Sequence, residues 1–276
     1  MDNFQNFALD LYDVLVNLKD ITLYESRRRE EPKNPFNKFG RRSFSQSDED
    51  GLTLEIIKRL DLNKGNFAEF GVGNGVENNT LLLASLGWNG FWVDASELAF
   101  KYKMSNKFTH YKRIINLDNV LETFLEGCNY IKREKINYIS FDFDNNDYYL
   151  VKKLLDNNVQ PEVFVVEYNS KFIPPIEWVV DYDPNSSWNF DDYFSASLTS
   201  YVKLFEQHDY FLVCCNHFTG ANAFFVKNEY KYKFKEVPSD INDIWVEPRY
   251  YIPHKYGHRS SPRTAQVVIN RLVDNR

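Results

Sequence analysis

Leucines, valines and aromatics recur every three or four residues from about residue 4 to residue 19, the period of an amphipathic helix. The period stops at residues 26–47, "SRRREEPKNPFNKFGRRSFSQ" and the serine after it. This stretch is charged, contains proline and glycine, and predicts a loop able to fold over something. A Ser/Asp-rich helix start follows in "SQSDEDGLTLEIIKRLDL", with an apolar stripe at Leu52, Leu54, Ile56, Ile57 and Leu60.

From residue 66 onward, short apolar runs alternate with helical segments. "NFAEFGV", "GFWVDAS", "HYKRIIN", "INYISFDFD" and "EVFVVEYN" predict strands; "ENNTLLLASLG", a short stretch after "GFWVDAS", "VLETFLEGC" and "DYYLVKKLLDNN" predict helices. That beat argues for a parallel sheet wrapped by helices. After a polar insertion come a helix at "ASLTSYVKLFEQH" and two strands, "YFLVCCN" and "ANAFFVK", joined by "HFTG". A junction so short makes a hairpin, so the last strand runs antiparallel to the rest. The tail from about residue 231, rich in tyrosine, proline and charge, fits no element.

Composition narrows the class. A chain of 276 residues, 43% hydrophobic, buries a full core and predicts one main domain with additions: residues 1–50 as an N-terminal helix and lid-like loop, 51–230 as the core, and 231–276 as a C-terminal extension. A net charge of −6 argues against a nucleic-acid partner, which needs concentrated Lys and Arg. The three cysteines, Cys128, Cys214 and Cys215, have neither metal-ligand nor CxxC spacing, so a reducing cytosol fits best. No basic leader and no apolar run of about 18 residues appears, so the expectation is a cytoplasmic protein without a membrane span.

The stretch "FAEFGVGNGVENNT", Phe67 to Thr80, carries the candidate chemistry. In an open α/β sheet the ligand sits at the carboxyl ends of the strands, and glycines there let the backbone approach it. A dinucleotide fingerprint needs GxGxxG. This chain has GxGxG, and it places Glu69 two residues before the first glycine, where a carboxylate repels a pyrophosphate and suits a cationic amino-acid group. S-adenosylmethionine has that charge distribution and no phosphate. Asp94, ending the next strand, is placed to accept both ribose hydroxyls. The plainer alternative is a turn with a helix-capping aspartate.

"EFGVGNG" resembles the first motif of class I S-adenosylmethionine-dependent methyltransferases. The stretch from "FSQSDEDG" (Phe44 to Gly51) through "VVEYN" resembles FkbM-type sugar and natural-product methyltransferases, a likeness covering roughly residues 44–227. It implies an α/β, Rossmann-like fold: a mostly parallel seven-stranded sheet with an antiparallel last strand and helices on both faces. It also implies that Glu69, Gly71, Gly73 and Asn74 line the methionine end, Asp94 takes the ribose, and Asn116 lies near the adenine. Ser96 and Gln46 are weaker additions; Gln46, Glu49 and Asp50 equally suit capping of the following helix.

A second acidic cluster ends the fourth and fifth predicted strands, in "YISFDFDNNDYY" and "VVEYNS". Residues two apart share a strand face, so Asp142 pairs with Asp144, and Glu167 with Asn169. Four such oxygen donors suit Mg2+ or Mn2+ rather than zinc. The arrangement is similar to metal-dependent O-methyltransferases, although the lysine of the catechol type has no counterpart: Asn145 and Asp147 hold the equivalent offsets. The alternative is contact with the cofactor, backbone or acceptor without metal. Asp144 and His217 are the candidate bases, Asn222 a candidate substrate contact, and His254 and His258 candidates for a basic lid. Trp178, Tyr182, Trp188 and Tyr193 suit stacking on a sugar. The expectation is transfer of a methyl group to a hydroxyl of a saccharide or nucleotide-linked sugar, with a homodimer compatible but not encoded. The rivals are an NAD-dependent sugar oxidoreductase or epimerase, disfavoured by the glycine spacing and the absence of YxxxK, and a non-catalytic binding module.

Overall fold

The computed structural model describes residues 11, 14, 15, 18, 22, 31–133, 135–143, 145–185, 188–189, 191–248 and 261–274. The chain forms two compact units, Met1–Lys33 and Asn34–Arg276. In the first, the described residues between 11 and 22 are helical, and the Thr22 hydroxyl donates to the Leu18 carbonyl at 2.7 Å. Leu11, Val14, Leu15 and Leu18 of this helix are exposed.

The second unit is built on seven strands: β1 (Asn66–Phe70), β2 (Asn89–Asp94), β3 (Phe108–Lys112), β4 (Tyr138–Phe141), β5 (Val163–Glu167), β6 (Tyr210–Cys215) and β7 (Asn222–Lys227). They form one sheet in the order β3-β2-β1-β4-β5-β7-β6. The first five strands pair in parallel, and β7 lies antiparallel between β5 and β6. This is the Rossmann-like arrangement expected from the alternating pattern. Strands β1, β2, β4 and β5 are buried almost throughout. That is why they read as continuous apolar runs rather than as alternation.

Side chains alternate between two core layers. Helices α1 (Glu49–Arg59) and α2 (Leu81–Ser85) contribute Leu52, Ile56, Ile57 and Leu83 to one layer, with Phe67 and Tyr138 from the sheet. Helices α3 (Val120–Tyr130), α4 (Asp147–Asp156), α5 (Leu198–Glu206) and α6 (Ile241–Ile244) face the other, against Phe70, Phe91 and Phe141. Glu69 and Ser140 point to the α1/α2 side, in step with Phe67 and Tyr138.

The structure departs from the sequence pattern at four places. The helix expected over residues 77–87 starts only at Leu81, and ahead of it the carboxylate of Glu69 takes the N–H groups of Asn79 and Thr80 at 2.8 and 2.9 Å. No helix follows β2: Asp94 Oδ1 accepts the Ser96 N–H at 2.7 Å, and Ala99 N donates to the Asn74 carbonyl at 2.9 Å, tying this stretch to the glycine loop. Residues 34–48 belong to the core unit. Asn34 and Asn37 Nδ2 donate to the Val213 and Cys215 carbonyls of β6 at 2.8 and 3.1 Å, covering the sheet's edge strand. Among the described residues of the tail are the helices α6 and α7 (Pro262–Asp274). Arg271 of α7 lies 4.3 Å over the Trp178 ring and Arg263 lies 4.0 Å over Tyr193.

Candidate functional site

The carboxyl ends of β1, β2, β4 and β5 and the start of β7 open on one cavity of about 1120 Å³. Its first wall is the glycine loop. Gly71 N donates to the Val93 carbonyl and Asp142 N to the Phe70 carbonyl, both at 2.9 Å, which prolongs the sheet by one residue on each side of β1. A β-carbon on Gly71, at φ +88°, would stand 1.7 Å from the Asp142 carbonyl oxygen, so the tight approach itself demands glycine. Gly73 differs: at φ +53° it has open space where a side chain would go, and it faces the cavity. Its backbone is bare towards solvent rather than towards protein.

Two carboxylates flank this loop. Asp94 Oδ2 accepts the Gly73 N–H at 2.8 Å and Oδ1 accepts the Ser96 N–H at 2.7 Å. Each oxygen keeps a lone pair. Glu69 is 2% exposed and accepts from Asn79 N, Thr80 N and the Thr80 hydroxyl, the last at 2.5 Å. Burial pushes its pKa up to about 7, opposed by those hydrogen bonds. Glu69 therefore has two tasks, capping the turn into α2 and lining the cavity floor.

The other predicted cofactor residues, Gln46, Asn74, Ser96 and Asn116, lie on the same wall system, with Arg113 beside Asn116. Arg113 donates to the Thr123 hydroxyl at 2.8 Å and pairs with Glu126 at 3.0 Å.

On the far wall, Asp142, Glu167 and Asn222 face the cavity, joined by Asn145, Asn146 and Trp188. Glu167 and Asn222 are direct partners across the antiparallel β5–β7 pairing. Asn169 does not join them: fully buried, its Nδ2 donates to the Asp192 and Phe194 carbonyls at 2.9 and 3.2 Å. The strand ends at Glu167, so the face-sharing argument stops there. His217 lies in the β6–β7 turn, outside the cavity lining, and its backbone N–H donates to Asp48 at 3.0 Å. Asp144, His254 and His258 lie outside the described residues. Among the described residues no group of three or more His, Cys, Asp or Glu could hold a metal ion. Asp142 and Glu167 remain as two carboxylates of an incomplete set.

Of the four aromatics expected to stack on a sugar, Trp178 and Tyr193 are buried in a small core with Val180, and Phe172 stacks on Trp178 at 4.5 Å. The Tyr182 hydroxyl accepts the Leu117 N–H at 3.2 Å. Trp188 alone of these faces the cavity.

Three features had little signal in the sequence. Asp147, fully buried, accepts Phe143 N and Asn145 N at 2.8 and 3.0 Å and so fixes the ends of the loop after β4; burial raises its pKa to about 6. Its place in the first turn of α4 was the one available cue. Asp48 and Glu49 form a buried acidic pair at the start of α1, Asp48 just ahead of the helix and Glu49 its first residue. Asp48 takes the N–H groups of His217 and Phe218, both at 3.0 Å, while Glu49 Oε1 accepts from Asn216 and Asn222 Nδ2 at 3.1 and 3.2 Å. Burial raises the pKa of both. Asn78 is the third.

No family model matches this chain, and no curated protein matches it. Among solved structures, it is similar to a protein described as a hemolysin from Lactococcus lactis, at 12% identity and TM-score 0.38 over 63% of this chain and 85% of that one. A second is CalO1, a methyltransferase of calicheamicin biosynthesis solved with S-adenosylhomocysteine bound, at 12% identity and TM-score 0.33 over 64% of this chain and 56% of that one. A third is an O-methyltransferase family 2 protein from Planctomyces limnophilus in complex with apigenin, at 11% identity and TM-score 0.34 over 76% and 61%. At such scores the fold rests on the strand order and pairing described above.

Proposed function

We propose that the protein is an S-adenosylmethionine-dependent O-methyltransferase whose acceptor is a hydroxyl of a saccharide or nucleotide-linked sugar, of the FkbM-like kind and serving bacterial surface-polysaccharide assembly in the cytoplasm. The observation that carries the cofactor reading is the order of groups along one wall. Asn116 beyond β3, Asp94 at the end of β2, Gly73 in the loop and Glu69 at the end of β1 all line one cavity, and the strand order β3-β2-β1 supports reading them as the adenine, ribose, sulfonium and amino-acid contacts in turn. A buried carboxylate beside the glycine loop disfavours a pyrophosphate there.

The bound cofactor supplies a methyl carbon already activated towards displacement. The chain's own residues have to align the acceptor and relieve its proton. Asp94 offers acceptor sites to two vicinal hydroxyls. Glu69 offers negative charge to an ammonium group, and Gly73 leaves the space above the loop clear. Asp142 and Glu167, on the far wall, face the acceptor and orient its hydroxyl, with Asn222 accepting a hydrogen bond beside them. Among the described residues, Asp142 and Glu167 do not by themselves complete a donor set for Mg2+ or Mn2+.

The test is calorimetry of the purified protein with S-adenosylhomocysteine and, separately, with NAD. Micromolar or tighter binding of the first and none of the second is expected. Binding of NAD instead would replace this reading with the oxidoreductase one. Methyl transfer to nucleotide sugars and oligosaccharides is then compared with and without a chelator, and loss of turnover in the chelator would restore the metal reading.

A further inference from the structure

The loop between β1 and α2 carries three asparagines, and the side chains of two of them bond to protein atoms, one within the loop and one on β4. Asn74 Oδ1 accepts the Val76 N–H at 3.3 Å, and Asn79 Nδ2 donates to the Ser140 hydroxyl at 3.0 Å. The third does not. Asn78 is 6% exposed, lines the cavity, and neither its Nδ2 nor its Oδ1 has a hydrogen-bond partner. A buried primary amide left wholly unsatisfied is costly, and native chains keep very few of them. Its backbone is held on the side that follows: the Asn79 and Thr80 N–H groups are bound by Glu69 at 2.8 and 2.9 Å. The orphaned amide therefore lies next to Glu69, at the opposite end of the loop from the Gly73–Asp94 contact.

An amide presents one acceptor and two donors within a few ångströms. The complementary ligand fragment carries a donor and an acceptor on neighbouring atoms, and an α-amino acid zwitterion does so, with ammonium and carboxylate on one carbon. We infer that Asn78 is a cofactor-binding residue that recognises the amino-acid end of the methyl donor, its carbonyl accepting from the ammonium and its NH2 donating to the carboxylate. The inference rests on the cofactor reading above, and divides the work at that end: Glu69 supplies charge, and Asn78 reads the carboxylate that Glu69 repels. No covalent step is involved.

The experiment uses the full chain and three probes: S-adenosylhomocysteine, its decarboxylated form, which differs only in lacking the carboxylate, and 5′-methylthioadenosine, which lacks the amino acid. Asn78→Ala should weaken S-adenosylhomocysteine by about tenfold to a hundredfold, the scale of hydrogen bonds to charged groups, and leave 5′-methylthioadenosine within about twofold. Asn78→Asp keeps an acceptor for the ammonium but repels the carboxylate. It should invert the preference, so that decarboxylated S-adenosylhomocysteine binds more tightly than S-adenosylhomocysteine. A structural role for Asn78 would not produce that inversion, and thermal melting confirms that each variant is folded. If Asn78→Ala binds S-adenosylhomocysteine as the parent does, the inference is overturned while the cofactor reading stands. If the parent binds none of the three probes, both fall together.

Discussion

A carboxylate held at a pKa of about 7 is a consequence of position. Glu69 ends a strand buried on both faces, and three hydrogen bonds only partly offset the loss of water. Because its folded value lies above the ordinary 4.5, the native state binds more protons than the unfolded chain between those values. The contribution of Glu69 to stability is therefore greatest below about pH 4.5 and is lost as pH rises towards 7. Ligand binding takes the opposite sign: an ammonium beside Glu69 favours its ionised form. Binding of S-adenosylhomocysteine at pH 6 should release a fraction of a proton and weaken below pH 7. Calorimetry in two buffers of different ionisation enthalpy reads that fraction directly, and equal observed heats would mean that no proton leaves Glu69.

The strap at the start of α1 shows how a helix end can hold the site. Asp48 closes the β6–β7 turn by accepting two of its backbone N–H groups, and Glu49 fixes Asn222, whose other amide atom faces the cavity without a partner. Asp48→Ala would leave two N–H groups without their acceptor. A loss of about 2–4 kcal/mol in urea unfolding is expected; a change under about 0.5 kcal/mol would show that the strap is not what holds the turn. The sequence made the sheet and the glycine loop legible because both follow from local periodicity and glycine placement. It did not reveal that residues 34–48 join the core, since Asn34, Asn37 and Asp48 bond to atoms some 170–180 positions away. Nor did it separate Trp178 and Tyr193, which pack, from Trp188, which lines the cavity. Composition is the same in both cases, and only tertiary contact decides.

At the scale of the whole molecule, the small core around Trp178, Val180 and Tyr193 depends on the far end of the chain. Arg271 donates to the Val179 carbonyl at 2.7 Å and pairs with Asp181 at 2.9 Å, while Ser261 N and the Thr264 hydroxyl donate to Asp192 at 3.0 and 2.7 Å. A chain ending at residue 260 should keep its sheet and its affinity for S-adenosylhomocysteine, yet show faster hydrogen exchange across residues 176–193. Unchanged exchange there would mean that α7 is dispensable to that core. The strand order carries a different consequence. During synthesis β6 leaves the ribosome before β7, but its place in the finished sheet lies beyond β7. Until Lys227 has emerged, β5 presents an open hydrogen-bonding edge with no strand to fill it, and β6 has nowhere to dock. Both of the last two strands therefore wait for β7, and the far side of the sheet is completed only at the end of the core's synthesis, although β6 has been available for some time.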